Sequence, residues 1–536
     1  MNYVIGSGPA GVAAAASLLD LGVPVTMLDA GGELEPDIQA AVDELGSRGP
    51  EEWSAGDRDR VKGPLRLNAE GAPLKLAFGS DYIYRGVDTL QPVVADGVDA
   101  YRALAAGGLS VVWGASILPY SDADFEGWPI DAATMNPYYV SALEMTGLAA
   151  EDDGLSELYP LHIRPTTHVE LSSQARFMKQ RMTEHAAQLE RQHLHFGAAR
   201  LAIGSHPSGT VHSCVHCGMC LYGCPYGLIY SARMTLGTTL ARSSHFTYVP
   251  GFVVRQLTER DGTVVIDAVA RQTSTPRRFE ASRVYLAAGV LPSTAILLES
   301  LGAHSQPIEL PQSDHFLLPL LLRRAAGRAS RERLHTLSQM FFEIRDRAIS
   351  AHGVHLQLYT YNDLYDRMAA GALGPFYRLV APAAERFIDR LVVIKGYLHS
   401  AESSRIRATL EAGGAGSALR LAPVEAPRSR VVIRRVASLL ARNSRQIGAF
   451  PLPLGLRRGL PGSGVHVGGS FPMRSRPSAF ESDVLGTPIG FTRVHAVDSA
   501  VFPTLPAAPP TLTIMANAYR IAACSQRREK GAPCPA

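Results

Sequence analysis

The chain has 536 residues with a formal net charge of +3, 46% hydrophobic residues and 19% charged ones. This balance excludes a disordered chain, and so small a charge gives nucleic-acid binding no electrostatic support. No apolar run approaches the ~18 residues of a membrane span, and the length exceeds one ordinary core, which implies two or more domains.

The opening, MNYVIGSGPAGVAAAASLLDLGVPVTMLDAG, predicts strand, turn, helix and strand in close succession. Tyr3-Val4-Ile5 is a short apolar strand, followed by the G-x-G-x-x-G turn Gly6-Ser7-Gly8-Pro9-Ala10-Gly11. An alanine-rich helix runs to Leu21 and stops at Gly22, as a helix C-cap does. Val25 to Leu28 form the second strand, with Asp29 at its carboxyl end. Gly6 permits the tight turn, Gly8 lets backbone approach a pyrophosphate, and Gly11 lets helix and strand close together. The helix N-terminus adds a positive dipole, and Asp29 is placed to accept hydrogen bonds from an adenosine ribose. Strand, turn, helix and acid in this order predict a dinucleotide site without saying which dinucleotide. Folded structure is expected from the first residues, so no secretory signal is expected, and a reducing cytoplasm is the expected compartment.

Residues 214–225 read CVHCGMCLYGCP and hold four of the six cysteines: Cys214, Cys217, Cys220 and Cys224. Gaps of two, two and three, with proline after the last, reproduce the run by which bacterial ferredoxins hold iron–sulfur clusters. Zinc is a second reading, although its usual knuckles are separated rather than overlapping. A cysteine-rich structural turn or a disulfide pair is the third. With no second run in the chain, both [3Fe–4S] and [4Fe–4S] stay open, the latter using Cys224 or a distant cysteine.

Further along, Arg283 to Leu286 is a buried-type strand that runs through Ala287 and Ala288 into Gly289. Flavoproteins of the two-dinucleotide-fold type often bring such a strand back beside FAD. Val392–Leu398 and Ser404–Leu410 read as strands, predicting an antiparallel sheet with helices. Between Arg428 and Arg458 stand eight arginines and no acid, which reads first as a solvated helix face.

Three other segments carry a family resemblance. Gly107-Gly108-Leu109-Ser110-Val111-Val112-Trp113-Gly114 resembles the flavin-contacting loop of glucose–methanol–choline (GMC) oxidoreductases. Ser313-Asp314-His315 resembles the point where their chain leaves the FAD domain for the substrate domain. Gly464-Val465-His466, then Val497-Asp498-Ser499 to Pro503, then Thr511 to Ala518, resemble their signature ending. The cysteine run is similar to the segment by which members such as the FAD-dependent glucose dehydrogenases carry an iron–sulfur cluster.

The resemblance implies an α/β architecture in which a Rossmann-like parallel-sheet FAD domain (1–130, 201–315 and 481–536) interleaves with an antiparallel-sheet-plus-helices substrate domain (131–200 and 316–480). It implies FAD held by Gly6, Gly8, Gly11, Asp29, Gly107, Gly108, Ser110, Trp113, Gly114, Ala288, Gly289, Asp498 and Thr511. Val112 stands where covalently flavinylated members have histidine, so the FAD is expected to be non-covalent. His466 matches the histidine that takes a hydroxyl proton while hydride passes to flavin N5. One departure stands out: where most members have Asn or His before the proline of the final helix, this chain has Pro509. Tyr82, Tyr84 and Arg85 precede the glycine loop and are expected near the substrate.

The leading expectation is a dehydrogenase acting on a sugar or polyhydroxylated metabolite. Its electrons would leave through the cysteine-bound cluster to an external one-electron carrier. The alternatives are an oxygen-using alcohol oxidase with structural cysteines and a non-catalytic flavin or electron-transfer module.

Overall fold

The computed structural model describes the chain except for residues 68–73, 205–212, 375–376, 414–415, 530, 532–533 and 535–536. The predicted first strand, Asn2–Ile5, lies near the middle of a five-stranded parallel sheet. Across that sheet the strands are Val494–Ala496, Arg283–Leu286, Asn2–Ile5, Val25–Asp29 and Phe246–Pro250. The returning strand Arg283–Leu286 therefore lies directly beside the first, with Ile5 opposite Leu286. All four of its residues are buried, which explains an apolar run without alternation.

The helix Pro9–Asp20 is buried along almost its whole length. Its alanines let it lie close between the parallel sheet and the final helix, Thr511–Glu529, where Ser17 Oγ donates to the Tyr519 carbonyl at 2.9 Å. Chain start and chain end are thus packed together.

A second, antiparallel sheet has the order Ala449–Pro451, His315–Leu322, Leu391–Leu398, Val354–Tyr359, Met340–Ile344 and Leu194–Ala198, with Arg457–Arg458 pairing the second of these. Successive side chains on a strand face opposite ways, and here the two faces differ in chemistry. One face carries Phe316, Leu318, Leu320, Leu356, Leu358, Val392, Ile394 and Phe342, all fully buried in one apolar cluster. The helices Ser173–Glu184 and Pro427–Arg442 cover it with Met178, Met182, Val432, Val436 and Leu439. Each such leucine or valine contributes about 1.5–3 kcal/mol by burial. Arg428, Arg430, Arg434, Arg435 and Arg442 lie on the exposed side of the second helix, so this part of the arginine run is a solvated face. The opposite, polar face of the sheet turns toward the glycine loop.

Candidate active site

The dinucleotide turn is built as its glycines require. Gly6 has φ 99°, and a Cβ there would lie 2.5 Å from the Ala287 carbonyl oxygen of the neighbouring strand. A Cβ on Gly11 would lie 1.9 Å from the Gly6 carbonyl oxygen, so helix and strand touch at that point. Gly8 has no atom within 4 Å of where its Cβ would be, and it caps the N-terminus of Pro9–Asp20. The turn is closed on two sides and open on the third, where the helix dipole points.

Asp29 is buried at the end of its strand. It accepts hydrogen bonds from Ser7 Oγ at 2.6 Å, Tyr248 OH at 3.0 Å and the Gly31 amide at 3.2 Å. Burial pushes its carboxyl pKa up, and these donors oppose that shift.

The glycine loop rests on this turn. The Gly107 amide donates to Ser7 Oγ at 2.9 Å, and a Cβ on Gly108 would come within 3.3 Å of the Gly8 Cα. Gly107 and Gly108 have φ 90° and 59°, a left-handed conformation that glycine adopts without strain. Ser110 Oγ donates to the Gly107 carbonyl at 2.6 Å and accepts from the Ala232 amide at 2.9 Å, fixing the loop's shape. Trp113 Nε1 donates to the Tyr230 carbonyl at 2.7 Å. A cavity of about 570 Å³ lies over the loop, lined by Ser110, Trp113, Tyr82, Lys75, Cys220 and Cys224 among others. Tyr84 donates to the Lys75 carbonyl at 3.2 Å, and Arg85 pairs with Glu35 and Asp81 at the surface.

His466 does not line that cavity. Its loop is tied down from both sides: the Ser313 amide donates to the His466 carbonyl at 2.9 Å, and Ser499 Oγ donates to the Val467 carbonyl at 2.8 Å. Asp498, next to Ser499, accepts from the Gly289 amide at 2.9 Å and Ser293 Oγ at 2.6 Å. Gly289 follows Ala287 and Ala288, whose backbone crowds Gly6, so short links connect His466 to the dinucleotide turn. Thr511 opens the final helix, preceded by the buried prolines Pro509 and Pro510. The residue before His466, Val465, has φ 62°, a strained backbone for a β-branched side chain.

The His466 ring stacks on Tyr397 at 4.4 Å between centroids and 15° between planes. Its Nδ1 has no hydrogen-bond partner among the described residues. Burial, with the charges of Lys395, His355 and His315 adding to it, drives the His466 pKa well below 6.5. Its neutral, proton-accepting form is therefore populated throughout the neutral range and is lost only as pH falls through the depressed value. A rate limited by this group should show no inflection between about pH 6 and pH 8. Stopped-flow flavin reduction across that range checks this, and a fall centred near the ordinary histidine value would contradict it.

Facing His466 is a wall that sequence reasoning missed. His315, Tyr397, Lys395, His355, Gln357, Tyr359 and Glu343 all stand on the polar face of the antiparallel sheet. Register pairs His315 and His355 with Tyr397, and Gln357 with Lys395. His355 Nδ1 meets Glu343 Oε1 at 2.5 Å, the second ring nitrogen lies 3.1 Å from Gln357 Nε2, and Tyr359 OH donates to Gln357 Oε1 at 2.9 Å. Lys395 Nζ lies 5.2 Å over the Tyr397 ring. Burial holds the His315 pKa down to about 3. The wall reaches the glycine loop, since a Cβ on Gly114 would lie 3.6 Å from Tyr359 OH. The signal was present in the stretch VHLQLY, where polar His355 and Gln357 alternate with apolar neighbours.

The cysteine loop borders the cavity through Cys220, Gly223 and Cys224. Among the described residues, no three or more His, Cys, Asp or Glu side chains are gathered so as to hold a metal ion. The His216 amide donates to Cys214 Sγ and the Leu228 amide to Cys224 Sγ, each at 3.4 Å. Burial pushes the Cys214 thiol up to about 12 and raises Cys217 and Cys224 as well. Cys524 and Cys534 are paired with each other.

No family model and no curated protein matches the sequence. Solved structures do match in shape. Pyridoxine 4-oxidase from Mesorbium loti superposes with a TM-score of 0.57 at 18% identity, covering 97% of this chain and 98% of its own. A formate oxidase gives 0.59 at 13% identity, covering 99% and 98%. A mutant formate oxidase of Aspergillus oryzae RIB40 characterised for its FAD modification gives 0.55 at 13%, with the same coverage. The fold is that of the GMC oxidoreductases.

In the GMC fold the residues of the dinucleotide turn fit FAD. The open side at Gly8, the unobstructed helix N-terminus and the carboxylate of Asp29 offer a backbone cradle, a dipole and a ribose acceptor. The strand end at Ala288 and Gly289 closes the cradle from the other side. No helix among the described residues is long and apolar enough to cross a membrane.

Proposed function

We propose that the chain is an FAD-dependent oxidoreductase acting on a CH–OH group of a small molecule. The observation that carries this reading is His466. It is a buried imidazole held neutral, its Nδ1 unpaired, in a loop linked through Ser499, Asp498 and Gly289 to the dinucleotide turn. FAD, when bound, supplies the acceptor for the hydride that leaves the carbon. His466 accepts the hydroxyl proton. Tyr397 holds the imidazole plane by stacking, and the backbone bonds at Ser313 and Ser499 hold its loop. Pro509 offers no polar side chain to the alcohol, and the polar sheet face is the alternative source of such groups.

The expected domain division belongs to this reading. All five parallel strands fall within 1–130, 201–315 and 481–536, but a further sheet of Pro307–Pro311, Arg405–Glu411, Ala418–Val424 and Val93–Ala95 joins strands from both expected domains. A sugar or polyhydroxylated metabolite is the substrate class carried forward from the sequence. The names of the structural neighbours, pyridoxine 4-oxidase and formate oxidase, favour dioxygen as the electron acceptor.

A second reading, favoured by the ferredoxin spacing of Cys214, Cys217, Cys220 and Cys224, has an iron–sulfur cluster serving an external carrier. The names of the structural neighbours favour the oxidase. Anaerobically purified protein is expected to contain no stoichiometric iron or acid-labile sulfide. Three or four irons per chain would establish the second reading. For the function itself, a screen of polyols, amino sugars, hydroxy acids and sugar phosphates that follows flavin bleaching without oxygen is the test, and bleaching by none would remove the assignment.

A further inference from the structure

The two lysines nearest the glycine loop stand without carboxylate partners. Lys75 Nζ donates to the backbone carbonyl of Trp113. Lys395 makes no hydrogen bond and no ion pair among the described residues, and its one contact of note is the Tyr397 ring. Both are enclosed deep in the protein yet keep some accessible surface, as side chains lining an internal space do. Lys75 feels the charge of Lys395. The acid on this sheet face, Glu343, is already bound to His355. Burying one ammonium without a counter-charge is costly, and two neighbours cost more. Burial lowers both pKa values, that of Lys75 to about 8, with Cys220 acting the other way on Lys75.

Such an arrangement is what an anion site looks like before its anion arrives. Lys395 comes from the polar sheet face one alternate position from Tyr397, which carries His466 on its ring. Lys75 approaches from the glycine-loop side through Trp113. We propose that these lysines form a subsite for a negatively charged group, so that the substrate is a hydroxy compound bearing a carboxylate or a phosphate. The inference rests on the oxidoreductase reading for the identity of the ligand as substrate, while the anion site itself does not require turnover. Lysine acts as a point charge and accepts either anion, so the pair defines the charge of the group and leaves its geometry open.

Two matched pairs of probes separate charge from hydroxyl: glycolate against ethylene glycol, and glycerol 3-phosphate against glycerol. Calorimetric titration of the purified full chain should show at least one anion binding about tenfold or more tighter than its neutral partner. Which anion wins tells carboxylate from phosphate. Lys395→Met should bring the preferred anion to the level of its neutral partner, and Lys395→Arg should keep most of the preference. Lys75→Met should weaken it partly and serves as the second variant if Lys395→Met does not fold. Equal binding of charged and neutral probes, or a preference that survives both methionine variants, overturns the proposal. Flavin content read by absorbance in the same samples reports separately on the oxidoreductase reading.

Discussion

Replacing His466 by alanine is expected to lower the rate of flavin reduction by substrate about 10²–10⁴-fold, the range for losing a general base. FAD content should stay unchanged, because the His466 loop is held by backbone bonds to Ser313 and Ser499 that do not involve the ring. Anaerobic stopped-flow absorbance measures both quantities at once. The tight stack on Tyr397 means some repacking of the ring is expected, which a far-ultraviolet spectrum and a melting curve would report. A variant that folds, binds FAD and reduces it at the wild-type rate would remove His466 from the chemistry.

The second large effect is at the turn. Gly11→Ala places a methyl group 1.9 Å from the Gly6 carbonyl oxygen, backbone against backbone, with Ala287 Cβ at 3.5 Å on the other side. Neither neighbour is the end of a flexible side chain, so helix or strand must move. Overpacking of this kind costs about 1–3 kcal/mol, and the movement opens the cradle. FAD content at purification should collapse and the melting temperature should fall. Gly8→Ala is the informative contrast, since its methyl group meets no protein atom within 4 Å. That variant should keep the fold while weakening FAD binding, because it fills the side of the turn left open. If Gly8→Ala bound FAD as tightly as the parent, a cofactor would not be approaching the backbone there.

Local signals made part of this legible in advance. The turn Gly6–Gly11, the helix after it and the acid Asp29 are contiguous, so their physics is written within thirty residues. The returning strand at Arg283 was readable as a buried strand, and it lies beside the first with Ile5 opposite Leu286. Val392–Leu398 and Ser404–Leu410 also emerge as strands, Leu391–Leu398 and Arg405–Glu411, but in two different sheets. The polar wall was not read, because alternation in VHLQLY tells that a strand has two faces and not which face meets a cavity. That choice is made by the helices Ser173–Glu184 and Pro427–Arg442, distant in sequence, which take the apolar face. Lys395 likewise reads as one cation in a strand until its lack of a partner is seen.

The cysteine run is a different case. Spacing along the chain is a necessary condition for a cluster, and Cys217 does feel the charges of Cys214, Cys220 and Cys224, but no three metal-holding side chains are gathered among the described residues. Arg85 was expected near the substrate and is spent on Glu35 and Asp81 at the surface, a pairing that depends on residues far off in sequence.

The most direct test of the central claim is to denature the purified protein, precipitate it and look for flavin in the supernatant while substrate alcohols are tried on an intact sample without oxygen. The expected result is about one released FAD per chain, with the intact sample bleached by a CH–OH compound. A colourless protein that cannot be reconstituted with FAD, or a flavin that no alcohol reduces, would contradict it.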